Sequence, residues 1–92
     1  MLTLPSKPWK RVEAIDQGNG RYLLRIASKL RKEADFVKMI QQDFTPCLRP
    51  GDDLLEPNWH YRSIVLITKD FRSFQRRLIL KNVMVEREKA DT

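Results

Sequence analysis

Two runs of the chain, YRSIVLIT (61–68) and RLILKNVMV (77–85), carry apolar side chains at odd and even positions alike. Their length and their Ile, Val and Leu content predict strands. A strand that is apolar on both faces needs cover on both faces. One helix covers only one, so the other face is expected to meet a second chain or the N-terminal segment folding over it. This requirement constrains the fold more tightly than composition does.

The strongest periodic element runs from 21 to 44. Leu23, Ile26, Ala27, Leu30, Ala34 and Val37 fall on one stripe at helical spacing, with Tyr22, Ile40 and Phe44 at its edge. Pro46 supplies a stop. The competing period places Tyr22, Leu24 and Ile26 opposite Arg21, Leu23 and Arg25, a strand over 21–27 hairpinned to a short strand over 9–15. Between them, Asp16-Gln17-Gly18-Asn19-Gly20 is a turn by composition. Residues 1–8 read as an extended, proline-restricted arm, 45–60 as a loop and 86–92 as a frayed tail. The expected fold is a single α+β domain over 1–92. In it one long amphipathic helix (21–44) packs on a small, mainly antiparallel sheet with a C-terminal hairpin.

Composition then narrows the function classes. The 92 residues carry a formal charge of +6, with 41% hydrophobic and 33% charged residues. No apolar run approaches the ~20 residues a membrane span requires. Pro5, Lys7 and Pro8 interrupt any secretory h-region. One cysteine, Cys47, excludes an internal disulfide and fits a reducing intracellular compartment, cytoplasm or organelle matrix. One histidine, His60, excludes a multi-histidine metal centre. Asp52, Asp53 and Glu56 lack the EF-hand spacing and read as an acidic loop. No glycine-rich phosphate loop follows Gly18-Asn19-Gly20. No cofactor is expected.

Two basic groups remain as candidate chemistry. On the long helix, Arg21, Arg25, Lys29 and Lys32 would form a one-signed ridge opposite the apolar stripe, spaced to track phosphates. Between the two C-terminal strands, Lys69, Arg72, Arg76 and Arg77 alternate with Phe71 and Phe74. Guanidinium for phosphate and rings for unstacked bases is the chemistry of single-stranded nucleic-acid binding. Phe36 and Met39 fall on the polar side of the long helix, where exposed apolar groups mark a protein contact.

The functional expectation is a non-enzymatic basic subunit of an RNA-associated assembly, not a free monomer. The alternative is a structural subunit held by protein contacts alone. A third reading comes from the YRSIVLIT…RRLILKNVMVERE region, which is similar in length, charge and texture to small basic ribonuclease toxins. That likeness implies an enzyme dependent on Arg62, Arg76 or Arg77. The charge itself is evenly shared, since residues 1–46 and 47–92 each hold nine cations.

Overall fold

A computed structural model describes residues 10–89; the expected arm over 1–8 lies outside the described residues. The chain begins with β1 (Lys10–Asp16) and returns as β2 (Arg21–Ile26), paired antiparallel. Gly18, Asn19 and Gly20 all take positive φ in the connecting turn. Gln17 N donates to Arg21 O at 2.9 Å and Arg21 N to Gly18 O at 3.0 Å, which closes the hairpin. A Cβ on Gly20 would stand 2.8 Å from the Thr68 carbonyl oxygen, so this corner admits only glycine.

Residues 21–26 are therefore strand, and the helix expected over 21–44 is corrected. The shorter alternation wins there because it sends Tyr22, Leu24 and Ile26 into the core while the turn holds the register. Helix starts only at α1 (Glu33–Met39), continues as a π-helical turn over Ile40–Phe44, and ends in a 3₁₀ turn at Thr45–Cys47 around Pro46. Its inward side is Phe36, Met39, Phe44 and Cys47, all buried. Val37, which belonged to the expected stripe, is exposed. Residues 21–26 are strand, so they cannot set the helix phase, and the buried face of α1 is rotated away from Val37. Phe36 and Met39 accordingly belong to the core and not to a protein interface, with Phe36 tilted against Trp59 at 5.8 Å.

Part of the expected loop over 45–60 is β3 (Asp53–Asn58), antiparallel to β4 (Ser63–Ile67). The β4 strand falls where the sequence places it. The expected strand over 77–85 forms only in its last three residues, and the C-terminal hairpin does not form. Instead α2 (Phe71–Leu80) crosses from β4 to β5 (Val83–Lys89), and β5 pairs parallel to β1. Phe71, Phe74 and Leu78 recur at helical spacing and are all buried, which commits the segment to helix. Asp70 caps it, accepting from Ser73 N at 3.2 Å and from the Ser73 hydroxyl at 2.7 Å. Those bonds hold the Asp70 carboxyl below the usual carboxylate range. Asn82, at φ 63, ends the helix turn and starts β5. Residues 86–89, expected as tail, are thus the end of a strand.

The sheet order is β3-β4-β2-β1-β5. Val12, Ala14, Tyr22, Leu24, Ile26, Ile64, Leu66, Val83 and Val85 make one inner face, covered by α1 with its extension and by α2. The outer face carries a second apolar row, Leu55, Val65, Leu23 and Ile15, in register across four strands. The two-sided character of β4 is therefore real, with Ile64 and Leu66 inward and Val65 in the outer row. Among the described residues no helix is long and apolar enough to cross a membrane.

Candidate nucleic-acid interface

Helix α2 contains no acidic residue, and its outward side presents Arg72 and Arg76 one turn apart, both exposed. Lys69 stands exposed just before its first turn. Arg49, Lys69 and Arg77 border a shallow hollow at that end, which Asp52 and Asp70 share. Both acids are engaged. Asp52 accepts from Thr68 Oγ1 at 2.8 Å and from Arg49 N at 3.0 Å, while Asp70 caps α2.

Arg77 is tied into the structure rather than presented. Its Nε donates to the Cys47 carbonyl at 2.7 Å, and its terminal nitrogen lies 3.6 Å from Asp52. This bond anchors α2 to the end of the α1 extension. Cys47 itself is buried, donates to the Asp43 carbonyl at 3.2 Å, and has its thiol pKa pushed up by desolvation. It is a poor nucleophile.

Phe71 and Phe74, expected as base platforms, are in the core; Phe71 stacks on Tyr22 with centroids 4.4 Å apart. The cations expected on one helical ridge are separated by the β2 assignment. Arg21 and Arg25 lie on the outer face of β2, and Lys29 and Lys32 follow on the connection to α1. Arg21 is engaged with Gln17 Oε1 at 3.2 Å and lies 3.7 Å from Glu56. Arg25 sits between Glu13 on β1 and Ser63 on β4. Of the expected nucleic-acid residues, only Lys69, Arg72 and Arg76 share one open basic surface.

Two exposed features do not follow from the sequence pattern. The turn between β3 and β4 exposes Tyr61 to 69%, next to His60. The cluster Trp-His-Tyr-Arg after Pro57-Asn58 carried that signal in its composition. At the other end of α2, Ile79 and Leu80 are 55% and 82% exposed beside Met84 at 44%. Their place in an apolar run suggests strand interior. Among the described residues no group of three His, Cys, Asp or Glu side chains gathers to hold a metal ion. Comparison with family models, curated proteins and solved structures found no match.

Proposed function

We propose that the protein is a non-enzymatic, RNA-associated subunit that sets the outer face of α2 against a phosphate backbone. The observation that carries this reading is the exposed run of Lys69, just before α2, and Arg72 and Arg76 on its outward side, with no carboxylate within α2 itself. Cations fixed along one side of a helix neutralise phosphates and release counterions on binding. Binding of a single-stranded RNA oligonucleotide at ~50 mM salt, near the low end of the range where backbone contacts are strongest, is the expected result. Absence of binding under that condition overturns the reading.

A second reading, a structural subunit of a protein assembly, is favoured by the exposed Ile79, Leu80 and Met84. Ile79 and Met84 line one hollow, with Leu80 next in the chain, and exposed apolar groups of this kind mark a protein contact. Sedimentation at rising concentration tests whether that patch joins copies of this chain. Self-association lost in Leu80→Glu supports the reading in that form, and a monomer at every concentration removes self-association as its basis.

A further inference from the structure

We propose that the groove between the β3–β4 turn and the outer face of β2 receives one unpaired nucleotide of a single-stranded RNA. Its base lies on the Tyr61 ring and its phosphate is held by Arg25 and Arg62. The proposal rests on the RNA reading above and adds to it a second contact with a different chemistry.

The groove has a volume of about 580 Å³, and Glu13, Arg25, His60, Tyr61, Arg62 and Ser63 are among the residues lining it. That size falls within the ~300–1,000 Å³ typical of small-ligand clefts. The turn that builds it is held at both ends. Tyr61 N donates to Asn58 Oδ1 at 3.0 Å, and Arg62 N to the Trp59 carbonyl at 3.1 Å. Arg62 takes φ 51, in the left-handed region, and its carbonyl accepts from Ile26 N at 2.8 Å. This bond ties the turn to the end of β2. A non-glycine residue kept in that region costs conformational energy, and such positions cluster where a site is preorganised.

The side chains follow from this frame. The Arg62 guanidinium lies 4.3 Å from the Trp59 ring centroid, and its Nε donates to the Leu30 carbonyl at 3.4 Å. The cation is therefore set in place before any ligand arrives. His60 meets Tyr61 edge-on, with centroids 5.0 Å apart and planes at 83°, and steadies the ring in an exposed position. Arg25 projects from the neighbouring strand opposite Ser63. An exposed ring in a groove that two arginines also line matches an unstacked base with its phosphate. Glu13 disfavours a second phosphate and offers an acceptor for the exocyclic amine of a base. A duplex keeps its bases stacked inside and cannot use the ring.

The test compares wild type, Tyr61→Ala, Tyr61→Phe and the Arg72→Ala/Arg76→Ala pair on a single-stranded RNA and on a duplex of the same sequence. Tyr61 is exposed, so Tyr61→Ala is expected to fold with an unchanged melting temperature. Loss of one base–aromatic stack should weaken single-strand binding by about tenfold. Tyr61→Phe should retain it, and duplex binding should be the same in all three Tyr61 forms. The salt dependence should also be unchanged in Tyr61→Ala, because no phosphate contact is removed. Unaltered single-strand binding in Tyr61→Ala, alongside weakened binding in the α2 pair, overturns the groove assignment and leaves the α2 reading standing. No RNA binding by the wild type overturns both.

Discussion

Phe74→Ala is expected to destabilise the protein by about 3–5 kcal/mol, the usual cost of truncating a fully buried aromatic. Phe74 is 0% exposed and is carried by α2, the only element joining β4 to β5. It stands between Phe71 and Leu78, which are buried on the same side of the helix. The ring's removal opens a cavity under the crossover that neither neighbour can fill without moving the helix. Against a total stability of about 5–15 kcal/mol, that loss is a large fraction. In a domain of this size it corresponds to a fall in melting temperature of at least about 12 °C. Arg76→Ala, half a turn away on the exposed side, should stay within about 0.5 kcal/mol of wild type. Thermal or urea denaturation of the two variants measures the contrast. Equal, small effects would mean that α2 does not pack as described.

Lys10→Met is expected to cost about 3 kcal/mol or more, because it strands a carboxylate away from water. Lys10 Nζ lies 2.9 Å from Asp43 Oδ2, with the Asp43 side chain 9% exposed. The pairing is charge against charge, since among the described residues no hydrogen bond reaches that oxygen. It joins the start of β1 to the π-helical turn after α1, two elements distant in sequence. Replacing both partners together, Lys10→Met with Asp43→Leu, should recover most of the loss, because a buried ion pair exchanged for apolar groups is often neutral. Urea midpoints of the single and double variants form the cycle. A single-variant cost below about 1 kcal/mol would mean that the pair behaves as a solvated surface contact.

The sequence made the α+β class, the glycine turn and β4 legible, because each depends on local chemistry: positive φ at Gly18 and Gly20, and an apolar run of strand length. Residues 21–26 satisfied two periods at once. Only the pairing with β1 and β4 on either side decides for strand, and that is long-range information. Phe36 and Met39 were misplaced for the same reason, since the helix phase had been set by residues that are not helical. In α2, the β-branched and leucine content of 77–80 suggested strand, while the spacing of Phe71, Phe74 and Leu78 together with the Asp70 cap gives helix. Lys69, Arg72 and Arg76 could be found from charge alone. Tyr61 could not, because its exposure follows from how the turn is bonded to β2.

The salt dependence of RNA binding reads out whether α2 engages phosphates. Each phosphate contact on a single strand contributes about −0.7 to the slope of log K against log salt. Wild type, with Lys69, Arg72 and Arg76 engaged, should show a slope of about −2 or steeper. Arg72→Ala/Arg76→Ala should flatten it by about 1.4 while the melting temperature holds. An identical slope in the wild type and the double variant would contradict the assignment of α2 as the phosphate-binding surface.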